Sequence, residues 1–407
     1  MLLAEKGVEV HAFEARDRVG GRLWTIAADG GRFEAGGEWI DADHERVIRL
    51  AQELEIGLES PRQRPGRARY RGEESDEFTL WTDAQADVAS FYDAADELAL
   101  DLDEVPWRNV IYGDLDRQNL AELVEKSAKS ARGKWWLETT LRSDEGDDPS
   151  AISLLGWLCG YLHYLERDEN AMSAHRLELG GQAMCERMLD RAGVTPTLGV
   201  VLRRVERKAD QVHLYFDDRT DAFDHVILAL PPGPLLRVVF DPPLSDAKAE
   251  ALAGCGMSRA IKVCVQFKSA IWLDSGWKGR SLSDLAVMQT WDAGRGVAIL
   301  TAYVCGSLAD RLLREDDPVA ATLEEFEVLC PGLRDEFVQG WLVDWIHDPY
   351  ALGAFSHVPP GFVLNGWEDL RTAEGRLHFA GEHTADWMGF VEGALESAER
   401  VASELSP

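Results

Sequence analysis

The chain has 407 residues, 45% of them hydrophobic and 28% charged, and a formal net charge of −30 at pH 7. That composition excludes disorder and leaves room for two or three cores, or for two domains that exchange segments. The charge argues against a nucleic-acid partner, which needs a basic stripe, and against an anionic membrane surface; it serves solubility in many proteins, and it would also draw in a cationic small molecule such as an amine.

The chain opens with a helical stretch that runs into a short apolar strand, Val8 to Phe13, ending on an acid, Glu14. In a dinucleotide-binding βαβ unit such an acid grips ribose hydroxyls, about 20 residues after a Gly-rich phosphate loop. Counted back from Glu14, that loop would fall before Met1. A turn follows, then the glycine pair Gly36-Gly37 and an amphipathic helix. Residues 60–82 read as basic and strand-like, and Asp83 to about Glu104 as a helix with an acidic outer face. The stretch "SDEGDDPS" (143–150) reads as a solvated acidic loop; it lacks the ligand spacing of a calcium loop. A helix is expected from Ala151 to Leu165.

After Leu179-Gly180-Gly181 come a helix and two strands, 199–206 and 211–218, with a turn at Ala209-Asp210. The run "HVILALPPG" (225–233) reads as a strand buried on both faces and stopped by prolines. Residues 256–345 hold several strands and a helix near 316–330. "GRLHFAGEH" (375–383) is strand, then glycine, then the helix of "MGFVEGALESAERVASEL". No fixed-period repeat is visible. The six cysteines contain no C-x-x-C pair, which suits reduced, buried thiols rather than disulfides or a zinc site, and no metal site is expected. No signal peptide or membrane-spanning run is expected, so the protein reads as cytoplasmic.

The stretch "EARDRVGGR", with Glu14, Arg16, Gly20, Gly21 and Arg22, resembles the FAD-binding signature of the flavin-containing amine oxidase family. Four more segments resemble the same family in the right order. They are "FEAGGEWI" with Gly37, Glu38 and Trp39; "LGVVLRRV" with Leu202; "ILALPP"; and "HFAGEHTADWMGFVEGALESAERVA" with Gly381, Glu382, Gly389, Phe390 and Val391. The resemblance implies an α/β fold, with an FAD-binding Rossmann-like domain of discontinuous segments (1–60, 175–245 and 346–407). A mixed-sheet and helical substrate domain (61–174 and 246–345) would complete it. It also implies that Glu14 binds the adenosine ribose, the glycines and arginines the pyrophosphate, Leu202 the adenine through its backbone, and residues 389–391 the flavin. Two further likenesses bear on chemistry. "SRAIKVCVQF" places Lys262 where the family holds a water against flavin N5, although a lysine on an apolar strand can also snorkel to water. "WIHDPYALGAFSHVPPG" places Phe355, with Phe390, as an aromatic cage for an amine, although both could be ordinary core.

The position where some relatives carry a tethering cysteine is Ala354, so noncovalent FAD is expected. The implied reaction moves a hydride from the carbon next to nitrogen onto flavin N5. The imine then hydrolyses, and O2 reoxidises the flavin to give H2O2. The expected partners are a small amine and O2, with neither nucleic acid nor membrane, and a homodimer is a further expectation. Two alternatives stay open: an FAD-deficient relative, motivated by the phosphate loop, and an L-amino-acid oxidase or desaturase on the same fold. An amino-acid oxidase would need an arginine in the pocket for the substrate carboxylate.

Overall fold

A computed structural model describes residues 1–60, 66–76, 81–165 and 171–405. Its largest sheet has seven strands, in the order Phe337–Asp344, Ala260–Phe267, Ala298–Cys305, Gln289–Asp292, Ser281–Ser283, Arg67–Tyr70, Glu73–Asp76. Ala260–Phe267 is buried at every position, and its two-residue alternation sets two destinations. Ile261, Val263 and Val265 pack with Leu323 and Phe326 of the helix Pro318–Leu329. Lys262 and Cys264 therefore face the other side, where Cys264 meets Phe33 and Trp291. In register, Lys262 lies opposite Tyr303 on one neighbouring strand and Val343 on the other.

A second core collects a four-stranded sheet (Val239–Asp241, Arg204–Arg207, Val212–Tyr215, Thr220–Phe223) and the parallel pair Val226–Leu228 with Leu377–Phe379. Helices Thr82–Leu100, Leu120–Ser127, Ala131–Glu145 and Leu154–Tyr161 form a third, helical core around Phe91, Leu123, Leu141 and Leu158. No helix among the described residues is long and apolar enough to cross a membrane. The six cysteines are unpaired, and all but Cys185 are buried.

The helices expected near 45, 83–104, 181, 316–330 and 388–405 form as Glu45–Glu53, Thr82–Leu100, Gly181–Ala192, Pro318–Leu329 and Val391–Glu404. Several expectations need correction. Val8 to Phe13 is not a strand: among the described residues only Phe13 bridges, to Thr197, because one edge of the segment finds a partner there while its other flank borders a cavity. The strands at 199–206 and 211–218 shorten to Arg204–Arg207 and Val212–Tyr215. Val226–Leu228 is not buried on both faces, since Ile227 is 38% exposed and lines that cavity. The Ala151–Leu165 helix begins only at Leu154, capped by Ser153, and gives way to a 3-10 turn at Leu162. Of 60–82, the strands Arg67–Tyr70 and Glu73–Asp76 form, while 61–65 and 77–80 lie outside the described residues.

The acidic stretch 143–150 is the largest surprise. It is not a solvated loop. The helix Ala131–Glu145 continues through Ser143, Asp144 and Glu145 and stops at Gly146, whose φ of 70° is the left-handed conformation that ends helices. Asp147 and Asp148 then turn inward to ion pairs with Arg259, at 2.6 and 3.1 Å, and Asp148 also pairs with Arg142 at 2.7 Å.

Candidate active site

One cavity of about 2130 Å³ runs through the molecule. Its walls carry Glu14, Gly20, Gly21 and Arg22 from the N-terminal segment, Lys262 from the large sheet, and Phe355 with Phe390 from the C-terminal segments. It also borders Arg16, Gly37, Glu38, Trp39, Leu202, Gly381, Glu382, Gly389 and Val391. Every residue singled out in the sequence thus reaches one space, although the segments are hundreds of positions apart.

The N-terminal wall is a braced turn. Glu14 Oε1 accepts the Arg16 N–H at 2.8 Å, while Oε2 accepts nothing from the described residues. Arg16 forks onto Asp348 with two bonds of 2.9 and 2.6 Å. Burial alone would raise the Asp348 carboxyl, but the Arg16 hydrogen bond outweighs it and holds the group below its ordinary range. Arg18 closes the turn by donating to the carbonyls of Val19, Gly21 and Leu23, and lies 4.7 Å over the Trp24 ring. Gly20 has a φ of 100°, and a Cβ there would stand 2.5 Å from the Leu23 carbonyl oxygen; at Gly21, with a φ of 57°, a Cβ would meet nothing. A Cβ at Gly36 would lie 1.9 Å from the Arg22 carbonyl oxygen. Backbone stripped of side chains beside an open cavity is a cradle that fits a pyrophosphate.

Glu382 organises the opposite side. Its carboxylate accepts from Arg22 at 2.6 Å, Ser356 Oγ at 2.9 Å and the Gly389 N–H at 2.7 Å. Burial pushes its pKa up, but Arg22 and these donors bring it below the ordinary value. Arg22 also donates to the Ala354 carbonyl at 3.1 Å. Glu382 therefore holds residue 389 just before the helix Val391–Glu404, with Phe390 at its N-cap. Phe355 packs against Gly389, where a Cβ would be 3.2 Å from its ring. Phe390 meets His44 and Trp387 edge-on, at 5.1 and 5.8 Å. Among the described residues the two phenylalanine rings do not touch each other; they border the cavity from separate segments.

Lys262 is 7% exposed and its charge is met by Glu38 at 3.3 Å. The ammonium also donates to the carbonyls of Gly36 at 2.8 Å and Glu34 at 3.2 Å, so all its hydrogens face protein oxygens. Glu38 accepts in turn from Arg176 at 2.9 Å and Trp291 Nε1 at 3.1 Å. Burial would raise Glu38, but Lys262, Arg176 and Arg295 hold it below the ordinary carboxylate value. Sequence reasoning singled out Lys262 and Glu38 separately and missed that they pair. It also missed Arg176, Trp291 and Arg18; an arginine or tryptophan outside a recognisable motif carries no local signal of its partner.

Asp144 and Glu145, missed as well, line the same cavity. Asp41, Asp43 and His44 bring ligand-type atoms within 4.8 Å of one another, but Asp41 already accepts the Ser173 N–H and His44 Nδ1 the Asp41 N–H.

The sequence model of one family, described as flavin containing amine oxidoreductase, matches residues 2–406. A flavin-containing amine oxidase of Oncorhynchus mykiss is 25% identical over 435 residues, covering 99% of this chain and 82% of that protein. The flavin-containing amine oxidase B of Sus scrofa is 23% identical over 446 residues, with the same coverage of 99% and 82%. Among solved structures, putrescine oxidase bound to putrescine superposes with a TM-score of 0.90 at 24% identity, covering 99% of this chain and 95% of that one. Cyclohexylamine oxidase from Brevibacterium oxydans IH-35A superposes with a TM-score of 0.88 at 24% identity, covering 99% and 95%.

Proposed function

The chain belongs to the flavin containing amine oxidoreductase family, and on that premise we propose that it binds FAD without a covalent bond and oxidises a small amine. The observation that carries this reading is the single cavity joining the Gly20-Gly21 cradle to Lys262, Phe355 and Phe390. FAD, when bound, would take the hydride from the carbon next to nitrogen and be reoxidised by O2 to give H2O2, leaving an imine for water to hydrolyse.

The chain's own residues would do the rest. Glu14 keeps one carboxylate oxygen for ribose hydroxyls, and the 20–22 turn offers backbone to the pyrophosphate. Arg16 and Arg22 are already paired with Asp348 and Glu382, so they act first by holding that turn against the C-terminal segments. Leu202 meets the adenine side through its main chain, and Gly37 and Trp39 flank the flavin. The helix N-terminus at 389–391 supplies a positive dipole end. Phe355 and Phe390 exclude water and face an amine with π clouds. Lys262 sets a positive charge in the wall, and holding a water would require it to release its longest contact, Glu38 at 3.3 Å. Ala354 offers no sulfur for a covalent tether. The domain division at 60, 174, 245 and 345 follows the same reading.

An amino-acid oxidase would want a free arginine, and Arg280 does line the cavity. Its charge already acts on Asp144, so the amine reading is preferred. The test is direct. The purified protein is denatured, the supernatant is scanned for free flavin, and the native protein is offered an amine panel read out by peroxide. Release of flavin with peroxide from amines is expected. A colourless supernatant, or peroxide only from α-amino acids, would defeat the proposal.

A further inference from the structure

The ring of Phe355 lies in a bracket of two glycines from distant segments. At its side, a Cβ on Gly389 would come 3.2 Å from Cδ2; at its tip, a Cβ on Gly146 would come 2.6 Å from Cζ. Both glycines are left-handed, with φ of 85° and 70°. Gly146, which is buried, ends the helix Ala131–Glu145 in that conformation. Its contact with Phe355 is a second and independent reason for glycine. An asparagine could also end the helix left-handed, but the space its side chain would need is already taken by the ring.

The main chain on both sides of this contact is fixed. Ser258, fully buried, donates its N–H to the Phe355 carbonyl at 2.7 Å and accepts the Phe355 N–H on Oγ at 3.1 Å. Its own carbonyl accepts the Ala354 N–H at 3.1 Å. On the other side, Asp147 accepts from Arg259 Nη2 at 2.6 Å, and Asp148 accepts the N–H and the hydroxyl of Ser307, each at 3.0 Å. A Cβ at 146 would also stand 2.6 Å from the Ser258 Cβ. The turn and the Ser258 segment are therefore both pinned, and Gly389 flanks the ring. Among the described residues, the open side of Phe355 is the cavity it borders. A side chain at 146 would have to push the ring into that cavity by about 1 Å to restore ordinary van der Waals contact.

We propose that Gly146 is a positioning residue that sets how much bulk the site admits beside the amine nitrogen. Its missing side chain lets Phe355 stand back from the cavity, so that amines with nitrogen on a ring carbon or a branched carbon are accepted. The inference rests on the reading of Phe355 as one wall of an amine-oxidising site.

The test compares cyclopentylamine with pentylamine, which have the same number of carbons but carry nitrogen on a ring carbon and on a chain end. Gly146→Ala should lower the cyclic-to-linear ratio of kcat/KM about tenfold, carried mainly by KM of the cyclic amine. Melting temperature and flavin content report folding, and Gly146→Asn, better tolerated at positive φ, is a second variant with the same expected direction. A crystal structure of the Gly146→Ala protein should show the Phe355 ring displaced into the cavity. Phe355→Leu removes Cζ, so adding Gly146→Ala to it should leave the ratio nearly unchanged, whereas an effect confined to the turn would persist in that background. An unchanged ratio in folded 146 variants, or an equal fall in the Phe355→Leu background, would overturn the proposal. If neither 146 variant folds, Phe355→Leu by itself decides: a ratio held or raised supports the proposal, and a lowered one overturns it. If no amine yields peroxide, the oxidase reading fails separately, and calorimetric titration with the same two amines carries the comparison. Selective loss of cyclopentylamine affinity in Gly146→Ala would then support the role of Gly146, and an equal loss, no loss or no binding of either amine would overturn it.

Discussion

At the scale of single residues, the site is governed by how buried charges are matched. Lys262 is sustained by Glu38, and Glu38 by Arg176 and Trp291, so each charge finds donors or acceptors without water. Lys262→Met keeps the side-chain volume and removes the charge. It should slow reoxidation of the reduced protein by O2 at least about tenfold, or about 1.4 kcal/mol of barrier, measured by mixing anaerobically reduced protein with oxygenated buffer. Unchanged reoxidation would remove the lysine from the mechanism. Glu145 predicts the opposite kind of effect, on stability. Its folded value of about 8 lies above the unfolded glutamate value of about 4.3. Below both values the proton is held in either state and there is no cost. The destabilisation grows as pH rises through that interval. Glu145→Gln should therefore raise Tm more at pH 8 than at pH 5, by about 1 kcal/mol of stability once cavity water is allowed for. A Tm gain that does not change with pH would contradict it.

At the scale of elements, glycine placement decides whether the walls meet. Gly36 runs so close to the 22–24 backbone that any Cβ would sit 1.9 Å from the Arg22 carbonyl oxygen and 3.0 Å from the Trp24 nitrogen. Gly36→Ala should cost at least about 2 kcal/mol and release flavin during gel filtration, because the segments must separate. Full flavin retention would show that the cradle can yield. The same scale shows where sequence reading reached and where it stopped. The helix Val391–Glu404 and its glycine lead were legible because apolar spacing and motif agree locally. The Val8–Phe13 segment misled because alternation specifies a strand only where a neighbour exists to pair with it, and Thr197 is the one bridge partner it finds among the described residues. The stretch 143–150 misled more deeply. Acidity predicts solvent, but Arg142 and Arg259 draw Asp147 and Asp148 inward, and Asp144 and Glu145 turn to a cavity.

At the scale of the whole molecule, a net charge of −30 surrounds a cavity proposed to take a cation. If the field steers substrate, kcat/KM for an amine should fall several-fold, ~3-fold or more, from low to high ionic strength, with kcat nearly constant. A salt-independent kcat/KM would leave the acidity as a solubility device. The sequence by itself determined the family and the α/β class, and singled out the glycines, Lys262, Phe355 and Phe390 that the structure brings to one cavity, because each rests on short-range spacing and residue chemistry. Only the tertiary structure decided which charges neutralise each other. Glu38 lies 224 positions from Lys262, and Arg22 lies 360 positions from Glu382. Electrostatic pairing depends on distance through space, and no pattern along the chain encodes that. The same holds for "SDEGDDPS": four acids alike in sequence are divided by packing into two that anchor the fold and two that face the cavity.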